Sequence, residues 1–132
     1  MNTNGTMHKR AMVVDDSRID RYIAEMMMKK TGVAEEVLTC ESGEEALSYL
    51  SSHAREPELL PEIILLDILM PDLDGFQFLD KFKDLPEPVK EHCAISMISS
   101  TLDYREIERA KKHKLVKDFI SKPLSEEVLK TL

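Results

Sequence analysis

Two hydropathy periods take turns along this 132-residue chain, and that exchange limits the folds open to it more than any other feature. Short apolar-rich runs at residues 11–14, 37–40, 63–66, 94–98 and 116–120 are separated by longer stretches whose apolar residues return at helical spacing. The run at 63–66 is apolar at every position, as a strand covered on both faces must be. Such strands belong to parallel sheets, whose crossover helices lie over the faces.

The intervening stretches read as helices with recognisable ends. After the first run, Ile19, Tyr22, Ile23, Met26 and Met27 recur as a helical stripe, with the methionines at 26–28 as core and its flank, and Gly32 is placed to end it. Ser42-Gly43-Glu44-Glu45 fits a capping box ahead of Ala46, Leu47 and Leu50, and residues 51–61 read as a polar loop. A third helix opens near Asp74 or Gly75, carries Phe78, Leu79 and Phe82 inward, and is closed by Pro86 and Pro88. The fourth starts at Asp103, which pairs with Glu106 as a cap; Ile107 and Ala110 face the core, and Lys111, Lys112 and Lys114 suit its C-terminus. Ser125 caps a short last helix with Val128, Leu129 and Leu132 inward. The expectation is an α/β fold: a doubly wound, five-stranded parallel sheet with five helices in three α/β/α layers. Residues 8–132 would form one domain behind a flexible N-terminal segment at 1–7.

Charge and composition exclude several function classes. Twenty-five acids against eighteen bases give a net charge of -7, a field that repels nucleic-acid phosphates, so no direct nucleic-acid partner is expected. No apolar run approaches the roughly twenty residues needed to cross a bilayer, so no membrane insertion is expected. The start MNTNGTMHKR lacks the apolar stretch of a secretory signal, which points to the cytoplasm. Cys40 and Cys93 have no Cys or His at ligand spacing and read as buried reduced thiols. His8, His53, His92 and His113 lie in polar surroundings and read as surface residues.

Ligands of open doubly wound sheets bind at the carboxyl ends of the strands. There the first run is followed by Asp15 and Asp16, the third by Asp67, the fourth by Ser99 and Ser100, and the fifth by Lys122. Two carboxylates about 4 Å apart repel by roughly 4 kcal/mol at an effective dielectric of 20, so three of them need a cation or raised pKa values. A hard divalent ion such as Mg²⁺ matches this all-oxygen set, with no His or Cys in it.

The runs VVDDS at 13–17, IILLDILMPDLDG at 63–75, ISMISS at 95–100 and FISKP at 119–123 together resemble the receiver domain of two-component response regulators. The resemblance implies the sheet order 2-1-3-4-5, taken from the family, and makes Asp67 the phosphoryl acceptor. It further implies that Asp16, Asp67 and the Leu69 backbone carbonyl bind Mg²⁺, that Asp15 holds a metal-bound water, and that Ser99 and Lys122 grip the phosphoryl oxygens. Lys122 would precede Pro123 through a cis peptide. Ser99 and Phe119 would form the switch, and Leu69 and Thr101 would flank the path of the hydrolytic water and set the lifetime of the phosphoaspartate. The implied partners are a histidine kinase or histidine phosphotransfer protein as donor, and a downstream protein met by the fourth helix, fifth strand and fifth helix. The chain would then be a signalling switch rather than an enzyme acting on a separate substrate.

Two alternatives compete. Asp72-Leu73-Asp74-Gly75 superficially resembles the nucleophile loop of haloacid-dehalogenase-type phosphatases, but there the first Asp directly follows a strand, and here Met70 and Pro71 intervene. A degenerate receiver acting only as a protein-binding scaffold would lack part of the set Asp15, Asp16, Asp67, Ser99 and Lys122, which is complete here.

Overall fold

Each apolar-rich run is a strand in the computed structural model, which describes residues 8–132; the N-terminal segment at 1–7 lies outside the described residues. The strands are β1 (His8–Val14), β2 (Ala34–Cys40), β3 (Ile63–Asp67), β4 (Ala94–Ser99) and β5 (Val116–Ser121). They form one parallel sheet in the order β2-β1-β3-β4-β5. Val14 lies opposite Leu66, Asp67 opposite Ile98, and Ser99 opposite Ser121, so four of the strands finish along one edge.

Among the described residues six helices cover the sheet: α1 (Arg18–Thr31), α2 (Gly43–Ser52), α3 (Gly75–Phe82), α4 (Glu87–His92), α5 (Tyr104–Lys112) and α6 (Glu126–Leu129). Alternate strand residues divide the core. Met12, Val14, Ile64, Leu66, Ile95 and Met97 meet α2 to α5 on one face, through Leu50, Phe78, Phe82, Val89 and Ala110. Ala11, Val13, Ile63, Leu65 and Ile98 meet α1 and α6 on the other, through Ala24, Met28 and Leu129. Two layers of helix thus enclose the sheet, as the doubly wound expectation requires.

The sixth helix corrects the expected five. Pro86 and Pro88 do not simply close α3; they open α4, because a proline in the first turn brings its φ preset and loses only an N–H that would have no partner there. The stripe on α1 is also corrected: Ile19 is 71%, Tyr22 63% and Met26 50% exposed, whereas Ala24 and Met28, four apart, form the packed line. Val128 points outward while Leu129 and Leu132 are buried. The box at Ser42 is half made, since Glu45 bonds the backbone N–H of Glu41 and not that of Ser42. The loop at 51–61 contains the last residues of α2 and a 3₁₀ turn at Pro57–Leu59. The four histidines are half-buried, and His53 stacks on Tyr49 at 4.2 Å. Cys40 and Cys93 are free and buried, as expected, and burial pushes each thiol up to about 12.

Glycine is required at two joints. Gly32 ends α1 in the left-handed conformation at φ 73°, where a β-carbon is costly. Gly75 starts α3 against the end of β3: a β-carbon there would lie 2.9 Å from the Asp67 carbonyl oxygen and 2.7 Å from the Met97 methyl. Its N–H bonds the Ile68 carbonyl at 2.9 Å, and Asp74 caps the helix in a complete box with Gln77. These contacts draw the first turn of α3 in beneath the strand end that carries Asp67. Among the described residues, no helix is long and apolar enough to cross a membrane.

Candidate functional site

The site is built by strands ending together. Asp15 follows the last residue of β1 and its N–H bonds the Cys40 carbonyl at 3.1 Å; Asp67 ends β3; Ser99 ends β4 and accepts the Lys122 N–H at 2.9 Å through its carbonyl. Asp15, Asp67 and Ser99 are buried, Asp67 only 5% exposed, while Asp16 opens to solvent. Carboxylate oxygens of Asp15, Asp16 and Asp67 all lie within 4.8 Å of one another.

Main-chain donors fix the two buried carboxylates. Asp15 Oδ1 accepts from the Ser17 N–H at 2.9 Å, and Asp67 Oδ1 from the Leu69 N–H at 3.2 Å, leaving both Oδ2 atoms turned toward Lys122. The Lys122 Nζ stands 2.9 Å from Asp15 Oδ2, 2.8 Å from Asp20 Oδ2 and 3.5 Å from Asp67 Oδ2. The Lys122–Pro123 peptide is cis. Burial, and then the Asp15 charge, push the Asp67 carboxyl up to about 6, against the opposing pull of Lys122 and the Leu69 N–H. Burial alone would lower the Lys122 ammonium, but its hydrogen bonds to Asp15 and Asp20 more than offset this and raise it.

Around this centre the expected residues divide. The Ser99 hydroxyl accepts from the Thr101 N–H at 3.0 Å, which leaves its own proton free to be donated. Ser100, the other strand-end serine, is exposed. The Thr101 hydroxyl donates to Glu106 at 2.7 Å and accepts from the Asp103 N–H at 3.1 Å, so it is tied to the start of α5. The Leu69 side chain is 49% exposed. Phe119 is half-buried against the core, opposite Met97. Asp72, of the phosphatase-like reading, is exposed in a turn at φ 65° and ends no strand.

Asp20 and Arg21 were not expected in the site. Arg21 donates to the Asp15 carbonyl at 2.8 Å and so fixes α1 against the end of β1. Asp20 looks locally like an ordinary first-turn acid whose N–H meets the Ser17 cap, and nothing near it in the chain points to a lysine 102 residues away. A cavity of about 280 Å³ opens beside the ammonium, with Asp15, Asp20, Ile23, Lys122, Pro123 and Leu124 among its walls.

Chemically, three carboxylates from β1 and β3 are a hard, all-oxygen donor set with one member at the surface, which fits Mg²⁺. Asp15, Asp16 and Asp67 are the side chains that could hold it. The Asp67 carboxylate and the Lys122 ammonium stand 3.5 Å apart and Ser99 ends the neighbouring strand, groups chemically suited to receiving a phosphoryl group.

Known proteins carry the same arrangement of sequence. The profile of the response regulator receiver domain matches residues 11–132. The chain is 35% identical over 123 residues to "Response regulator PleD" of Caulobacter vibrioides, covering 93% of this chain but 25% of that protein. It is 33% identical over 122 residues to "Protein PilH" of Pseudomonas aeruginosa, covering 91% of this chain and 90% of that one. A two-component response regulator from Cytophaga hutchinsonii superposes with a TM-score of 0.85 at 28% identity, covering 94% of this chain and 92% of that one. A response regulator receiver protein from Dyadobacter fermentans superposes at 0.80 with 33% identity, covering 93% and 96%. With its five-stranded parallel sheet and its acids gathered at the strand ends, the chain belongs to the response regulator receiver domain family, the signalling domain of two-component systems.

Proposed function

We propose that the protein is a phosphorylation-dependent switch that takes a phosphoryl group onto Asp67 from a histidine kinase or a histidine phosphotransfer protein. The observation that carries this reading is the buried Asp67 carboxylate, held at a strand end with Asp15, Asp16, Ser99 and Lys122 around it.

The proposed roles follow from the chemistry of each group. Asp67 Oδ2 attacks phosphorus in line, forming an O–P bond as the N–P bond to the donor imidazole breaks, so it must be ionised; a value of about 6 leaves it so at neutral pH. The Ser99 hydroxyl and the Lys122 ammonium hold the equatorial oxygens, whose charge grows in the transition state. Magnesium, held by Asp16, Asp67 and the Leu69 carbonyl with Asp15 behind them, would offset the remaining negative charge when bound. Engagement of Ser99 by the phosphoryl group draws on the β4 end, Phe119 turns inward, and the face made by α5, β5 and α6 changes for a downstream protein. Leu69 and Thr101 border the approach of water and set how long the phosphoaspartate lasts. The cytoplasm, which keeps thiols such as Cys40 and Cys93 reduced, is the proposed compartment.

Incubation with acetyl phosphate and Mg²⁺ followed by intact-protein mass measurement tests the reading. Wild type should gain one phosphoryl group and Asp67→Asn none. Equal gain by the variant would remove Asp67 as acceptor, and no gain by wild type would reduce the chain to a protein-binding scaffold.

A further inference from the structure

Lys122 is claimed by more carboxylates than its proposed task requires. An ammonium has three donors, and here they face Asp15 at 2.9 Å, Asp20 at 2.8 Å and Asp67 at 3.5 Å. The shortest of these contacts is to Asp20, which stands outside the group of three acids that converge as a cation site. The longest is to the residue whose phosphoryl group Lys122 is to hold.

Asp20 is not needed to cap its helix. The Ser17 hydroxyl already caps α1 by accepting the Asp20 N–H at 3.2 Å, so the Asp20 carboxylate is left over from capping and reaches across to Lys122, just past β5. Arg21, the next residue, anchors this turn to the Asp15 carbonyl, so Asp20 is carried on a fixed element. Lys122 and Asp20 share the wall of one cavity of about 280 Å³ that Asp67 does not line, so the open space around the flexible lysine stem lies on the Asp20 side.

We propose that Asp20 is a positioning residue for Lys122: it holds the ammonium on the α1 side and competes with the phosphoryl group on Asp67 for it. This rests on the acceptor reading above and adds a regulatory element to it. A receiver with Asp20 must break one ion pair to engage its phosphoryl group fully, so Asp20 lowers both the affinity for the phosphorylated geometry and the rate at which it is reached. Asp20 is 40% exposed in its side chain, so the competition is that of a partly solvated pair and amounts to about fivefold.

A double-mutant cycle separates action through Lys122 from the field of the Asp20 charge. Beryllofluoride affinity at fixed Mg²⁺ by calorimetry, and the rate of phosphoryl uptake from acetyl phosphate, are measured for wild type, Asp20→Asn, Lys122→Gln and the double variant. Asp20→Asn should bind beryllofluoride about fivefold more tightly than wild type and take up phosphate faster by a similar factor. Asp20→Glu, which keeps the carboxylate, should return both values toward wild type. In the Lys122→Gln background, Asp20→Asn should change the uptake rate by less than about twofold. Unchanged or weaker binding by Asp20→Asn overturns the proposal, as does an equal gain in both backgrounds, which would mean that the charge acts without the lysine. Wild type that takes up phosphate normally while Asp20→Asn shows no change sinks only the Asp20 assignment. Wild type that binds no beryllofluoride and takes up no phosphate sinks the acceptor reading and this proposal with it.

Discussion

The two edges of the sheet handle buried charge in opposite ways. At the edge where the strands begin, Arg10 of β1 is buried against its cross-strand neighbour Glu36, 2.7 Å away, and donates also to the Glu58 carbonyl. The pair is balanced: the hydrogen bond from Arg10 holds the Glu36 carboxyl below its usual range. At the edge where the strands end, one ammonium faces three carboxylates within 3.5 Å, Asp16 stands beside them, and Asp67 is pushed up to about 6. The first edge is satisfied by its own chain; the second carries excess negative charge that a cation would relieve. Buried ion pairs that merely hold a fold together tend to be balanced, and imbalance in a cleft marks a site.

That contrast can be broken most strongly with magnesium. An ion that binds only the folded protein should stabilise it by about 2.7 kcal/mol at a hundredfold excess over its dissociation constant. Thermal melts across a Mg²⁺ titration should show this rise in wild type and in Glu36→Gln, and lose it in Asp16→Ala. A parallel rise in all three would mean that the ion does not use the strand-end acids.

Without magnesium the two edges should answer neutralisation with opposite signs. Asp67→Asn should stabilise the protein by about 1–3 kcal/mol at pH 7.5, because it removes a carboxylate that folding leaves short of compensation. Arg10→Met should destabilise it by about 1–2 kcal/mol, from the lost pair and the orphaned Glu58 carbonyl. The pH dependence follows from the same carboxyl. Its folded value of about 6 exceeds the ordinary 3.8, so the folded state binds the proton more readily, and stability rises as pH falls from about 7 toward 5. Urea midpoints at pH 7.5, 6.5 and 5.5 should climb on acidification in wild type and lose that component in Asp67→Asn. A wild-type midpoint that falls over this range would contradict the assignment.

The smallest effect concerns the lifetime of the proposed phosphoaspartate. Leu69 cannot hydrogen-bond a water, and the Thr101 hydroxyl is occupied by Glu106 and Asp103. Leu69→Asn combined with Thr101→Glu should speed loss of the phosphoryl group about tenfold, roughly 1.4 kcal/mol in barrier. The decay of phosphoprotein after donor removal measures it, and an unchanged or slower rate would mean that these side chains do not set the lifetime.

Much of this site was legible because its residues stand where an apolar run stops. Asp15, Asp67 and Ser99 follow strand residues that sequence marks plainly, and a parallel sheet brings such ends together whatever lies between them. The features that sequence hid are those decided by orientation. Ile19, Tyr22 and Met26 satisfy helical periodicity as well as Ala24 and Met28 do, and the anchoring of α1 by Arg21 on the Asp15 carbonyl goes with the second set being the one that packs. Pro86 and Pro88 carry the same letters whether they stop one helix or start another. Asp20 had no local sign, since its partner lies just past the last strand of the sheet.

Gly75 shows how far the site extends beyond its reactive groups. A methyl group there would press on the flexible end of Met97, which can yield, and on the main chain at Asp67 and Ile68, which cannot yield without moving the proposed acceptor. The aim of the Asp67 carboxylate is therefore written partly in an atom that is missing. If the proposed role of Asp67 holds, a genetic screen for lost signalling would recover substitutions at this inert position beside those at Asp67 itself. A designer who transplants the acidic residues onto another sheet would have to transplant that small gap as well.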